Sequence, residues 1–325
     1  MAAVNTPYDD VFKTLLNDCS SLIIPVINEV FGEHYTGKEE IVFSPNEHFI
    51  NQQGGIEQER ITDTSFKIIG LETKKYHLEC QSTSDSSMLI RFFEYDAQIA
   101  LDDGEVDGST LTVTFPHSAV LFLRSNKNTP EKMKVVIQTP EGSTHYEIPV
   151  MKSMEYTIDE IFEKGLLFLI PFHIFSYEKM FERYNRDEGS LNQLKVEYEG
   201  IKNQLEELLE KGIIDEYTKC TVTDMSSKVL EHLTAKYENI KEGVKTVMGG
   251  KVLEYEAKTI RRAGLEEGRK EGRKEGLREG QKKGRAEVLF ELVQKDLLSV
   301  ENAASQLNLS EEMFLKAMQN YQKSQ

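Results

Sequence analysis

At 325 residues, the chain is long enough for one large domain or two ordinary domains with a well-buried core. Its net charge of −16 argues against a protein that coats nucleic acid, and the widely spaced Cys19, Cys80 and Cys220 favour neither a disulfide framework nor a zinc site. The first residues lack a basic and apolar leader, and the longest apolar run, 166–172, is far shorter than a membrane span. We therefore expect a cytoplasmic protein without membrane insertion.

The N-terminal segment has the spacing of an amphipathic helix, with Val11, Phe12, Leu15 and Leu16 on its apolar face. A second apolar helix is expected at 22–31. We expect Phe12 to pack against a sheet. Lys13 lies beside the apolar face, from which it could project toward whatever the sheet presents.

A strand is expected at 41–50, where Pro45 would make part of it an edge or a bend. Residues 60–82 then alternate in polarity on both sides of a short polar turn, which predicts a β-hairpin. With the turn centred near residue 72, the register places Asp63 opposite Gln81. The same register places Ser65 opposite Glu79. Two acids and an amide would then share one patch on the polar face.

Three other side chains of the hairpin receive a prediction. Lys67 is expected on the same face as the acids, whereas Cys80 points to the apolar side and is expected in the core. His77 shares the polar face but begins its strand, so we expect it at the surface.

The following segment predicts a helix at 86–101, with Arg91, Tyr95 and Gln98 on one stripe that is either solvated or a second wall of the site. The apolar run 119–123 predicts a strand covered on both faces. A hairpin is expected at 133–150, turning at 140–142. The core should be complete near residue 180, after the apolar segment 166–175. The fold class predicted is α/β, a mixed sheet flanked by helices, followed by an α-helical C-terminal region.

Apolar residues from Leu191 to Leu209 repeat at spacings of three and four, which predicts a helix that packs on another helix, and 218–248 should add one more. Residues 255–285 hold eleven Lys and Arg against six Glu, with a glycine at every fourth position from Gly264 to Gly284. This segment is either a helical arm that self-associates or a flexible charged linker, with binding to a phosphate backbone as a third option. Two short tail helices are expected after Ser299 and Ser310.

The acids of the hairpin are the candidate chemical groups. Two carboxylates facing one cavity repel each other unless a cation bridges them, and hard divalent cations prefer oxygen ligands. Asp63 and Glu79 are therefore candidate Mg²⁺ ligands, and Gln81 could orient a water molecule. The positive charge would come from Lys13, Lys67 or Arg91. The alternative to a metal site is a solvated sheet face without chemistry, because short acidic patterns recur by chance.

Four features occur in order along the chain: D-x-x-F-K at 9–13, Asp63 in R-I-T-D, Glu79 and Gln81 in H-L-E-C-Q, and the helix with R-F-F-E-Y that contains Arg91 and Tyr95. Together they resemble the Rpn family of recombination-promoting nucleases and putative transposases, which belongs to the PD-(D/E)XK nuclease superfamily. The resemblance covers about residues 5–180. It implies a restriction-endonuclease-like core and a Mg²⁺-dependent DNA endonuclease that hydrolyses phosphodiester bonds.

By that resemblance Asp63 and Glu79 would bind the metal, and Gln81 would take the place of the superfamily's lysine. The chain departs from the superfamily pattern at Gln81 and lacks a proline between Arg60 and Asp63. The implied organisation is a nuclease domain at 1–185, a helical or coiled-coil region at 190–254, the glycine-rich segment at 255–285 and a helical tail at 286–325. Expected partners are DNA and further copies of the chain, contacted through 190–325. The alternative is a catalytically inactive nuclease-like protein that binds or assembles through its C-terminal helices.

Overall fold

The structure, a computed structural model, describes residues 7–43, 47–51, 57–61, 65–82, 87–248 and most of 288–318, with only the backbone at 47–51 and 57–61. The chain forms two compact units, 1–253 and 254–325. Asp63 and the glycine-rich segment 255–285 lie outside the described residues.

A six-stranded mixed sheet forms the centre of the first unit, in the order β1-β4-β5-β8-β10-β9. Strands β5, β8 and β10 are parallel neighbours, while β1, β4 and β9 run antiparallel to the strands beside them. This arrangement confirms the predicted α/β class. Two further antiparallel pairs, β2 with β3 and β6 with β7, lie outside this sheet. The strands are β1 (Glu40–Phe43), β2 (Glu47–Asn51), β3 (Glu57–Ile61), β4 (Ser65–Ile69), β5 (Lys74–Gln81), β6 (Glu105–Asp107), β7 (Thr110–Thr112), β8 (His117–Phe122), β9 (Lys132–Thr139) and β10 (Gly142–Lys152).

Helices pack on the sheet, and the chain after the last strand is helical. A long 3₁₀ segment, Leu167–Met180, is the predicted last buried element of the core. Shorter 3₁₀ turns occur at Ser20–Leu22 and Ser153–Glu155. The α-helices are α1 (Pro7–Asp18), α2 (Ile23–Phe31), α3 (Met88–Asp102), α4 (Ile158–Glu163), α5 (Phe181–Arg186), α6 (Glu188–Glu210), α7 (Glu216–Leu233), α8 (Glu238–Met248) and α9 (Val300–Gln306).

The hairpin predicted for residues 60–82 is present only from residue 65, as β4 and β5, because residues 60–61 belong to β3, which pairs with β2. Its predicted register is wrong by two residues. Ser65 lies opposite His77 rather than Glu79. The reason is that the turn is centred near residue 71, one position earlier than expected, which moves the partner of each β4 residue by two. Because side chains alternate along a strand, a shift of two preserves the face on which each lies.

The two faces of the sheet carry different layers. Phe12 of α1 and Val26 of α2 belong to the large core that contains Leu78 and Cys80 of β5, so the expected burial of Phe12 and Cys80 is confirmed. Helix α3 covers the opposite face, where Phe92 packs with Val120 and Phe122 in a second apolar cluster. Strand β8 is therefore buried on both faces, as its apolar run predicts.

The helices after the sheet join the same large core. The buried stripe of α6 includes Leu191, Tyr198 and Ile201. The single helix expected at 218–248 is instead two, α7 and α8, separated by a turn in which Tyr237 N donates to the Thr234 carbonyl. This turn brings α8 back against α6. Gly243 permits the close approach, since a Cβ there would lie 3.3 Å from a methyl of Leu191.

The second unit contains its own small apolar cluster. Ser299 begins α9 as predicted, because its Oγ accepts a hydrogen bond from the backbone nitrogen of Asn302 at 3.3 Å. Ser310 lies outside the described residues. The buried members of the cluster are Leu289, Phe290, Ala303, Ala304 and Phe314.

Among the helices that the structure describes, none combines the length and the apolar composition needed to cross a bilayer.

The adjacent residues Phe92 and Phe93 test the orientation of α3. Phe92 is 0% exposed and Phe93 is 40% exposed. Phe92→Ala should lower the free energy of unfolding by about 3–5 kcal/mol, because it leaves a cavity between helix and sheet. Phe93→Ala should cost about 1 kcal/mol or less. Urea unfolding of the two variants measures this difference, and equal losses would mean that α3 is not seated on the sheet in this way.

Candidate functional site

The predicted site residues that the structure describes lie between β5 and α3. Glu79 and Gln81 are on the face of β5 that α3 covers, near the carboxyl end of this central strand. The Glu79 side chain is 20% exposed, and Gln81 is half-buried. Gln81 Nε2 donates to Glu79 Oε2 at 3.4 Å. Glu79 and Gln81 are therefore neighbours on one face of the strand, as predicted.

His77 is fully buried, so its predicted surface position is wrong. Its place at the start of a polar-faced strand predicts exposure, but α3 closes that face, and the His77 ring lies 5.1 Å from the ring of Phe92. Nδ1 donates to Asp96 Oδ1 at 2.7 Å, and Nε2 donates to Glu79 Oε1 at 3.3 Å. His77 thus connects the predicted acid to a second carboxylate that the sequence analysis missed.

Asp96 is the buried end of this network. It projects from α3 with no exposed surface, and its carboxylate accepts hydrogen bonds from three strands. Besides His77 of β5, the donors are Ser118 Oγ of β8, at 2.6 Å, and Tyr146 OH of β10, at 2.9 Å. A signal for it exists in the sequence: Asp96 is an acid on the helix stripe that also carries Phe92 and Ile99.

The hydrogen bonds set the charge of His77. Burial by itself would lower the pKa of the imidazole, but the hydrogen bonds to Asp96 and Glu79 outweigh burial and raise the pKa to about 9. His77 therefore carries a positive charge near neutral pH. This buried cation lies beside the predicted metal ligand.

Glu79 is held in its ionised form by the same surroundings. Burial favours its neutral form, yet the His77 hydrogen bond and charge, the charge of Arg91 and the Gln81 hydrogen bond together lower its pKa. Arg91 belongs to α3, five residues before Asp96. Its charge acts on Glu79.

The other two basic candidates lie elsewhere. Lys67 Nζ is 2.6 Å from Asp103 Oδ2, and Lys75 binds the same carboxylate oxygen at 2.7 Å. Lys67 lies opposite Lys75 of β5. Lys75 precedes Glu79 by four residues, a distance of about 13 Å along the strand. Lys13 belongs to α1, which packs on the opposite face of the sheet.

Tyr95 contributes to the wall of the site. Its ring lies edge-on to the His77 ring, with 5.9 Å between centroids. Together with Phe92 it encloses the imidazole from the helix side. Tyr95 therefore contacts the network at His77.

The oxygen atoms of Glu79 suit a hard cation as ligands. Glu79 supplies a partly exposed carboxylate of the kind that Mg²⁺ prefers, and each of its oxygens retains a lone pair. Its proposed partner Asp63 lies outside the described residues. Within the ranges that are described, no group of three or more His, Cys, Asp or Glu side chains is arranged to hold a metal ion.

Comparison of the chain with models of known protein families, with curated proteins and with solved structures found no match.

The pH dependence of stability tests the charge of His77. Its folded pKa of about 9 lies above the ordinary value of 6.5, so its protonation stabilises the folded state fully below about pH 6.5. This contribution, of the order of 3 kcal/mol, is lost as the pH rises through 9. The stability advantage of wild type over His77→Gln, measured by urea unfolding, should therefore shrink between about pH 6 and pH 10.

The matched control is His145→Gln, which removes an exposed imidazole from β10. Its difference from wild type should change little over the same range. An advantage over His77→Gln that stays constant with pH would contradict a protonated His77.

Proposed function

We propose that this chain is a Mg²⁺-dependent DNA endonuclease with a restriction-endonuclease-like core of the PD-(D/E)XK type. The observation that carries the proposal is the placement of Glu79 and Gln81, side by side and partly accessible on a central strand of a mixed sheet, with the charge of Arg91 directed at the acid. Catalytic groups are commonly positioned by such a rigid scaffold. The resemblance of the motifs to the Rpn family supports the same assignment.

Glu79 and Asp63 are the proposed ligands of the ion. When bound, Mg²⁺ would supply Lewis-acid chemistry, lowering the pKa of a coordinated water and offsetting charge on a phosphodiester. Gln81 would orient the attacking water through its amide, because the amide can both donate and accept hydrogen bonds. Arg91 would stabilise the extra negative charge that develops on the phosphoryl oxygens.

The acidic balance of the chain limits how DNA would be held. At a net charge of −16, non-specific affinity should be weak and steeply dependent on salt. The ion would then also serve to attach the substrate. Cleavage assays should therefore be run at low ionic strength.

The second candidate function is a nuclease-like protein without catalysis that binds or assembles with partners. A specific observation favours it: both carboxylate oxygens of Glu79 already accept hydrogen bonds, one of them from a positively charged imidazole. A resident cation beside the acid weakens the attraction for Mg²⁺. Self-association would use the C-terminal part, and because the apolar stripe of α6 is buried within its own chain, we assign that role to 255–325.

Plasmid nicking separates the two functions. With Mg²⁺ at low salt, wild type should nick supercoiled DNA. Asp63→Asn and Glu79→Gln should each lose more than the 10–100-fold typical of a residue that only supports a ligand. The readout is the rate at which supercoiled plasmid becomes open circles.

The control is Glu147→Gln, which removes an exposed acid of β10 that pairs with Lys132. It should retain the wild-type rate. Nicking that is equal in wild type and both site variants would show a contaminating nuclease, and absence of nicking with every divalent ion would favour the assembly function.

The three basic candidates make a separate prediction. Arg91→Ala should reduce the nicking rate by about 100-fold, the usual effect of removing one group that stabilises developing charge. Lys67→Ala should change it by less than twofold, because Asp103 holds Lys67 far from Glu79. A larger loss for Lys67→Ala than for Arg91→Ala would reverse the assignment. Unfolding midpoints of both variants check that the fold is intact.

A further inference from the structure

The outward side of α3 is apolar. Leu89, Ile90, Phe93 and Leu101 are all exposed, and Ile90 is 62% exposed. At 100° per residue these side chains fall on one stripe, which runs about 18 Å along the helix. A helix on the surface of a domain normally turns polar residues outward, so this stripe requires an explanation.

The hairpin of β6 and β7 extends the stripe at its C-terminal end. Val106 is 74% exposed, and Leu111 is also exposed. A Cβ placed on Gly104 would lie 3.3 Å from Leu111 Cδ1, so the hairpin folds directly against the end of α3. The ring of Phe115, just after the hairpin, stacks on Phe93 at 6.4 Å. We call this continuous surface, formed by Leu89, Ile90, Phe93, Leu101, Val106, Leu111 and Val113, the α3 patch.

The segment that forms most of the α3 patch is acidic, with Arg91 just before it on α3 and Lys67 and Lys75 beside Asp103. From residue 92 to residue 116 the sequence contains six acids and no Lys or Arg. Asp96 is buried, and Asp103 is bound by Lys67 and Lys75. The acids at the border are Glu94, Asp102, Glu105 and Asp107.

We propose that the α3 patch docks an amphipathic helix of a partner protein, with an apolar face bordered by Lys and Arg. The apolar stripe matches the anchors of such a helix, spaced at three and four residues. The acidic border selects a basic partner and repels DNA and anionic lipid surfaces, which carry negative charge. A second copy of α3 would bring the same acids together, which disfavours self-pairing at this surface. This site does not depend on the nuclease proposal.

Fluorescence anisotropy with three labelled synthetic helices tests the docking. The first has a leucine face bordered by lysines, the second has the same lysines with serine in place of leucine, and the third has the leucine face bordered by glutamates. The full-length protein should bind the first at least tenfold more tightly than either of the others. Equal binding of the first two would show only charge attraction to an acidic protein and would overturn the proposal.

Two variants locate the binding on the molecule. Ile90→Ser with Phe93→Ser should weaken binding of the first helix at least tenfold, and Glu105→Lys with Asp107→Lys should weaken it while leaving the apolar stripe intact. The matched control is Val196→Ser with Ile213→Ser, which removes two other exposed aliphatic side chains. Equal weakening by the control pair, or none by either patch variant, would overturn the proposal. Unfolding midpoints report whether each variant is folded.

Discussion

The arrangement of the site depends on one buried carboxylate. Burying an ionised acid costs several kcal/mol unless hydrogen bonds and a countercharge compensate. Asp96 has both, since His77 gives it a charged donor and Ser118 and Tyr146 give it two hydroxyl donors. The three donors come from three neighbouring parallel strands. All three can reach the Asp96 carboxylate only when α3 lies at one position along the sheet. Asp96 thus fixes the helix as well as its own environment.

That fixed position explains the electrostatics of Glu79. The same helix carries Arg91, whose charge reaches Glu79, and the same imidazole that satisfies Asp96 donates its other N–H to Glu79. The acid is therefore oriented by groups that are themselves held by buried hydrogen bonds. Such preorganisation suits a group that must not rearrange during a reaction. It also places a group that is positively charged near neutral pH next to a proposed cation ligand, so strong charge compensation and strong metal binding compete at this position.

The sequence predicts the fold better than it predicts the site. Alternation in β4 and β5, the apolar run of β8 and the helical spacing in α1 and α3 are local patterns, and each element appears where its pattern indicates. The pairing of Ser65 with His77 depends on the conformation of a four-residue turn, which polarity does not encode. The burial of His77 depends on α3, a separate element that closes the polar face from above. Alternation alone cannot distinguish a face covered by a helix from one covered by water.

The burial of Asp96 and the exposure of the α3 patch both follow from the orientation of α3. Helix α3 has an acid on the side facing the sheet and large apolar side chains, such as Ile90 and Phe93, on the side facing outward. Hydrophobicity alone does not distinguish this orientation from one in which those side chains pack on the sheet, because Met88, Phe92 and Ile99 are apolar as well. The observed orientation requires that three hydrogen bonds to Asp96 and the packing of Phe92 outweigh the cost of leaving the apolar stripe exposed. An apolar partner helix would remove that cost, so the buried network and the exposed patch are two consequences of the same orientation.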